Sequence, residues 1–253
     1  MALWQLVAIM MSLALASYIQ TLTGFAFGLI VMGLLATLDV LPIESAALLC
    51  TLLGLFNNTM AMRGHWRQVS PRFARRLLVT SLPMLPVGYF LAHWLGEARA
   101  PLLGMLLGIV ILIACLALLA QPAPRTTHSP RWHFKLAGAL SGLMGGLFSA
   151  NGPPLVVVLY RQPMTLIAVR CTLFAVFIVT GVVRMGLTLA EPGRIGDTLS
   201  ELLIIGLFGT FVVIIFTELA RRFPPPLSDK HLRQVAYAIL LVASGNLILK
   251  GLI

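Results

Sequence analysis

Residues 138–160, GALSGLMGGLFSANGPPLVVVLY, decide how the rest of the chain is read. The stretch is apolar enough to enter a bilayer, yet Asn151, Gly152, Pro153 and Pro154 interrupt it near its middle, where a straight helix would lose its hydrogen-bond ladder. Two full spans need roughly 40 residues, and only roughly 25 separate the charges of Lys135 and Arg161. A short hairpin that dips in and returns fits that length. Non-helical backbone is tolerated at membrane depth only where it is buried in protein or lines a cavity, so the broken tip is the first candidate for a binding site.

The bulk numbers agree with a membrane setting. Of 253 residues, 59% are hydrophobic and only 10% charged, with a mean hydropathy of +0.97, which excludes a soluble globule and points to an all-α polytopic membrane protein. The formal net charge is +10, but the basic residues sit in short loops between apolar runs and form no stripe interleaved with aromatics. Nucleic acid is therefore not an expected partner; the lipid bilayer is. Cys50, Cys115 and Cys171 lie in apolar segments without metal-ligand spacing and read as small core residues, with no metal and no disulfide expected. Residues 1–17 end in a cleavage-like Ala14-Leu15-Ala16 but lack a positive n-region, so they read as mature protein.

Hydropathy divides the chain into segments 3–22, 24–38, 43–62, 77–95 and 102–120, then the opening stretch, then 166–190, 198–219 and 235–253. Three loops carry the positive charge: Arg63, Arg67, Arg72, Arg75 and Arg76; Arg125, Arg131 and Lys135; and Arg221, Arg222, Lys230 and Arg233. The positive-inside rule makes them cytoplasmic. Asp39 and Glu44, Glu97 with Arg99, and Glu191, Arg194, Asp197 and Glu201 then face outward, and both termini fall outside, in the periplasm. By this count the opening stretch enters and leaves on one side, which supports a hairpin independently of its length.

The two halves superpose in sequence at an offset of 124 residues, with Ser17 on Ser141, Gly28 on Gly152 and Ile43 on Ile167. Residues 1–122 and 134–253 each read as a broken or re-entrant hairpin followed by three helices, joined by a basic cytoplasmic linker, 121–135. Three spans is an odd number, so the second repeat inserts upside down relative to the first. Inverted repeats with paired discontinuous helices are a transporter design in which the two breaks meet near the midplane.

The chemistry is sought at those breaks. With Pro154 as a first helical residue and Pro153 extended before it, the amides of Leu155 and Val156 are expected free at a helix N-terminus, which attracts anions. Asn151 adds a side-chain donor, Ser149 a hydroxyl, and Gly152 lets a ligand approach the backbone. At the first break Gln20, Thr21 and Thr23 precede Gly24-Phe25-Ala26-Phe27-Gly28; the polar side chains either face the same cavity or tie helices together, and Phe25 and Phe27 pack or gate. Asn57 and Asn58 lie deep in their span, where one of them is expected to reach the hairpin tips, and Glu44, Thr51 and Asn58 share a face. Arg170 and Arg184 fall on one helical face with Phe177 and Thr180, roughly 21 Å apart. Arg170 directly follows the hairpin and is the favoured source of positive charge, while Arg184 is expected to snorkel to the nearer interface. Carriers for a proton are poorly placed: Glu44, His93, Glu201 and Glu218 all lie near segment ends.

The runs QTLTGFAFGLI, GGLFSANGPPLVVVLYRQPM and VRCTLFAVFIVTGVVRMGL, which span both halves, resemble the TauE/SafE family, the sulfite exporter or toluene-sulfonate uptake permease group. The resemblance implies a bacterial inner-membrane transporter of a small sulfur-containing anion such as sulfite or an organosulfonate, driven by the proton gradient. No HExxH helix, Gly-x-Ser-x-Gly elbow or Walker loop is present, so neither an enzyme, an ATP-driven pump nor a cofactor is expected. Competing readings are an anion channel and a membrane-embedded scaffold with a purely structural polar core. A homodimer is compatible with the sequence.

Overall fold

The computed structural model describes residues 3–119, 128–191, 196–223 and 229–252, and the regular structure among them is entirely helical. In order these are α1 (Leu3–Thr23), α2 (Phe27–Thr37), α3 (Ile43–Ala61), a 3-10 turn at Trp66–Gln68, α4 (Pro71–Leu119), α5 (Arg131–Phe148), α6 (Gly152–Leu159), α7 (Leu166–Leu189), α8 (Gly196–Arg222) and α9 (Asp229–Leu252). Four stretches, Leu3–Thr23, Pro71–Gly96, Leu166–Leu189 and Ile204–Arg222, are long and apolar enough to cross a bilayer. Their outer faces expose large apolar side chains, among them Trp4, Phe90, Val182 and Phe211, as a lipid-facing surface requires. Arg125, Arg194 and the side chains of Glu97, Asp197, Glu201, Lys230 and Arg233 lie outside the described residues.

Helix α4 joins two expected segments. It bends at Arg99 (φ −154°, ψ 65°), two residues before Pro101, whose ring lacks an N–H and crowds the carbonyl four residues back. The limbs are Pro71–Gly96 and Pro101–Ala117. The first limb begins six residues ahead of the apolar run, because Pro71 suits a first helical position, and so Arg72, Arg75 and Arg76 are helical and not in a loop.

The opening stretch divides as its sequence demands. Helix α5 ends at Ser149, which adopts the left-handed conformation (φ 53°), and the chain turns into α6, only eight residues long. Helices α1 and α2 make the corresponding pair at the other break, through Gly24 (φ 81°) and Ala26 (φ 90°). The 21 residues of α1 give it spanning length, so this hairpin has one long arm and one short one.

Without a hydrophobic driving force between helices in lipid, close association depends on small residues that let backbones approach. Helices α4 and α5 run side by side in the same direction. A Cβ built on Gly138, Gly142 or Gly146 would lie 2.2–2.4 Å from the carbonyl oxygens of Leu77, Ser81 and Leu85, and one on Gly88 would lie 2.2 Å from that of Leu143. Elsewhere the first limb of α4 neighbours α7, α1 lies along α8, α3 touches both α7 and α8, and the second limb of α4 meets α9. Exchanging the two halves maps this set of neighbours onto itself.

The loops sort by charge. At one end of the bundle Arg221 donates to the Arg63 carbonyl (3.1 Å), and the Ser129 backbone N–H to the Gln162 side chain (3.2 Å). At the other, Glu44, His93 and Glu191 gather, and Lys250 pairs with Asp39.

Candidate anion site between the helix breaks

The two breaks touch. A Cβ on Gly28 would lie 2.4 Å from the Ser149 carbonyl oxygen, and one on Gly152 would lie 3.5 Å from the Phe25 side chain, so the tips meet backbone to backbone. Beside this contact is a cavity of about 50 Å³, room for a compact anion or a few waters, whose lining includes Gln20, Gly28, Asn58, Asn151, Thr180 and Arg184.

Gln20 holds the first break in shape. Its Oε1 accepts from the Phe27 backbone N–H (2.7 Å) and its Nε2 donates to Asn58 Oδ1 (2.5 Å), so one side chain caps α2 and ties it to α3. Ala26 is thereby kept in a left-handed conformation that costs an L-residue on the order of 1 kcal/mol. The first intrahelical bond of α2 is Ile30 N–H to the Ala26 carbonyl (2.9 Å). That leaves the amides of Gly28 and Leu29, both in the cavity wall, without an intrahelical acceptor.

The second break is built differently from its sequence expectation. Helix α6 starts at Gly152, so the amides of Leu155 and Val156 are committed to the carbonyls of Asn151 and Gly152 by the regular helical pattern. Pro153 and Pro154 fill the first turn, where a missing N–H costs nothing but also offers nothing to a ligand. Asn151 donates from Nδ2 to Thr180 Oγ1 (2.7 Å), and its carbonyl accepts from Ser141 Oγ (2.8 Å). Ser149 Oγ donates to the Ala47 carbonyl (2.8 Å) and lies 2.5 Å from Thr51 Oγ1, joining the tip to α3. Free backbone donors thus come chiefly from the start of α2, whereas α6 contributes its N-terminal end through Gly152.

Arg184 supplies the charge. It is 6% exposed, not snorkelled to an interface. Its Nε donates to the carbonyls of Gly145 (3.0 Å) and Gly146 (3.3 Å), Nη2 to Gly146 (3.2 Å), and Nη1 to Thr51 Oγ1 (3.1 Å) and the Ala47 carbonyl (3.4 Å), with the Tyr89 ring 5.6 Å away. All these acceptors are neutral, and among the described residues no carboxylate lies within ion-pair distance. The snorkelling expectation fails because the glycines of α5 leave carbonyls accessible at this depth, and a guanidinium fork matches several of them at once. A buried cation with no counter-ion among the described residues, next to the N-terminal ends of two short helices, makes the cavity electropositive.

The structure brings together Gln20, Gly28, Asn58, Ser149, Asn151 and Gly152 around the cavity and leaves the other sequence candidates outside its lining. Thr21 and Thr23 bond back to the carbonyls of Ser17 and Ile19 (2.8 and 2.7 Å). Asn57 donates to Thr217 Oγ1 of α8 (2.7 Å), an interhelical tie. Phe25 is fully buried in packing, and Gly24 is pressed against the Arg170 stem, where a Cβ would lie 2.8 Å from Arg170 Cγ. Arg170, Pro153, Pro154 and Leu155 do not line the cavity, whereas Phe27 and Phe177 do. Sequence reasoning sent Arg184 to an interface and did not single out Leu29, although both line the cavity. The seven-residue face of Thr51 and Asn58, and the shared face of Phe177, Thr180 and Arg184, were the signals available.

A second polar group sits beyond Tyr89. His93 Nδ1 lies 3.4 Å from Glu44 Oε2 and its Nε2 lies 3.9 Å from Glu191 Oε2, to which Tyr89 also donates (3.3 Å). The Tyr89 and His93 rings meet edge-on at 4.4 Å. These side chains, individually near segment ends, converge from α3, α4 and the end of α7. Glu218 instead pairs with Arg221 and Arg222 at the opposite end.

Comparison with known proteins accords with this architecture. The sulfite exporter TauE/SafE family profile matches residues 9–247. A protein of Cupriavidus necator described as a probable sulfite/organosulfonate exporter TauE is 35% identical over 240 residues, covering 95% of this chain and 92% of the relative. No solved structure matches the chain. A helical bundle with two abutting broken hairpins, matched to the family over nearly its whole length, belongs to the TauE/SafE sulfite exporter family.

Proposed function

We propose that the protein is a secondary transporter that carries a small sulfur-containing oxyanion, sulfite or an organosulfonate, across the bacterial inner membrane. The observation that carries the reading is Arg184, buried and with no carboxylate partner among the described residues, in a cavity where two half-helices begin. Its guanidinium attracts the anion, the Gly28 and Leu29 amides and the Asn151 and Gln20 side chains orient it, and Thr180 positions Asn151. The sulfur chemistry rests on the printed description of the Cupriavidus necator relative.

Residues 1–122 and 134–253 serve in this reading as inverted repeats, supported by the exchange-symmetric packing and the abutting breaks. Rocking of one repeat against the other opens the site to alternate sides. The basic loops face the cytoplasm and both termini the periplasm. The decisive experiment reconstitutes the protein in liposomes with an imposed proton gradient and follows labelled sulfite, an organosulfonate and acetate. Concentrative movement of a sulfur oxyanion but not acetate supports the proposal; passive equilibration with no accumulation turns it into an anion channel.

Proton coupling, in the same reading, runs through His93. The groups facing it are Glu44 from α3, Glu191 from the end of α7 and Tyr89 from its own helix, with Arg184 beyond Tyr89. Protonation converts two contacts into ion pairs that tie three helix ends together, and deprotonation releases them. His93→Gln is expected to abolish accumulation driven by the proton gradient while downhill anion exchange persists. A His93→Gln protein that still concentrates the anion removes this residue from the cycle.

A further inference from the structure

At the end of the bundle away from His93, Arg72, Arg75 and Arg76 on α4 and Arg131 at the start of α5 line one cleft of about 540 Å³. No acid offsets them: between Glu44 and Glu191 the only acidic residue in the sequence is Glu97, and among the described residues none of the four makes an ion pair. Arg76 is held in place by aromatic rings, its guanidinium 5.9 Å from Phe73 and 5.6 Å from Phe134, which themselves stack at 5.3 Å. Four like charges around one cleft repel one another, and an anion among them relieves that repulsion.

What lies next to the cleft identifies the source of that anion. Helices α4 and α5 run parallel from this end, and away from their glycine seam both turn apolar side chains outward: Val79 and Val87 on α4 and Trp132, Leu136 and Leu140 on α5, at 45–63% exposure. A cationic cleft at the end of two helices whose outward faces are apolar suits a ligand that carries both an anionic head and apolar chains, as a lipid does and a free inorganic ion does not. We propose that this cleft binds the phosphodiester headgroup of an anionic phospholipid, with its acyl chains against the outward apolar side chains of α4 and α5. The chemistry recognised is phosphate with guanidinium, and the apolar faces select the lipid over free phosphate.

The test titrates the purified full-length protein in mild detergent with phosphatidylglycerol, diphosphatidylglycerol, phosphatidylethanolamine and inorganic phosphate, read by native mass spectrometry and thermal shift. The two anionic lipids are expected to remain bound and raise Tm, while phosphatidylethanolamine and millimolar phosphate do neither. Arg72→Gln/Arg75→Gln/Arg131→Gln, with the stacked Arg76 kept, is expected to lose on the order of 100-fold in affinity for phosphatidylglycerol, and Arg75→Gln or Arg131→Gln alone about fivefold, from the roughly 1 kcal/mol that each basic residue contributes at such a surface. Equal retention of phosphatidylethanolamine by the wild type, or wild-type affinity in the single variants, overturns the proposal. Inorganic phosphate binding that displaces the lipids at equal concentration overturns the assignment to a lipid.

Discussion

Arg184→Gln is expected to abolish anion binding and transport while the protein remains folded. Losing one partner of a buried charge contact costs about 2–5 kcal/mol, a fall in affinity of roughly 30- to several-thousand-fold. The stability effect has a different sign. In the anion-free protein the guanidinium pays the desolvation of a charge whose acceptors are neutral carbonyls of Gly145, Gly146 and Ala47 and the Thr51 hydroxyl. A glutamine amide still donates to some of these and carries no charge to desolvate, so Tm is expected to hold or rise. Stability without function is the signature of a group retained for its ligand. Arg184→Lys keeps the charge and loses the planar fork, which places it between the two. Isothermal titration with sulfite, paired with a melting curve, separates the cases. A variant that melts earlier yet transports normally would show a purely structural arginine.

Gly28→Ala is expected to damage transport by forcing the two helix breaks apart. The added methyl meets the Ser149 carbonyl oxygen at 2.4 Å, with Ala150 Cα at 3.1 Å and the Ser149 carbonyl carbon at 3.2 Å behind it, and all three atoms are backbone. Nothing there can rotate away. Overpacking of this kind typically costs 1–3 kcal/mol, about 2 here, and the relief available is separation of the two tips, which also widens the cavity. Transport should therefore fall by at least ~10-fold even where the protein inserts and purifies. Gly186→Ala is the control: no atom lies within 4 Å of its new methyl, and alanine in a helix should stabilise by about 0.5–1 kcal/mol. If Gly28→Ala matches Gly186→Ala in flux and Tm, the tips do not meet as described.

Much of the fold was legible because lipid imposes harsh rules. The length of residues 138–160 against the charges around it forced a hairpin, and the Asn151–Pro154 break fixed where it turns. Charge in the loops sorted the ends: Arg63 and Arg221 do lie together, as do Glu44 and Glu191 through His93. The free cysteines Cys50, Cys115 and Cys171 are buried, as their apolar surroundings implied.

The site was legible only in part. Sequence locates a helix break but not its register, so two prolines that read as a cap proved to lie inside the first turn of α6 and took donors away. Helical periodicity put Arg170 and Arg184 on one face, but which of them turns inward depends on accessible carbonyls on α5, a neighbour that no local pattern identifies. Likewise the choice between Asn57 and Asn58 rests on partners at Thr217 and Gln20, both distant in sequence.

The seam between α4 and α5 has a consequence for inheritance as well as for mechanics. At Gly88, Gly138, Gly142 and Gly146 a Cβ has no space. Every missense change in those four codons places at least a methyl group against a neighbouring main chain. A saturating mutational library grown under selection for export should therefore be empty at these positions, even though none of them reaches the cavity except through the neighbour of Gly146, Gly145.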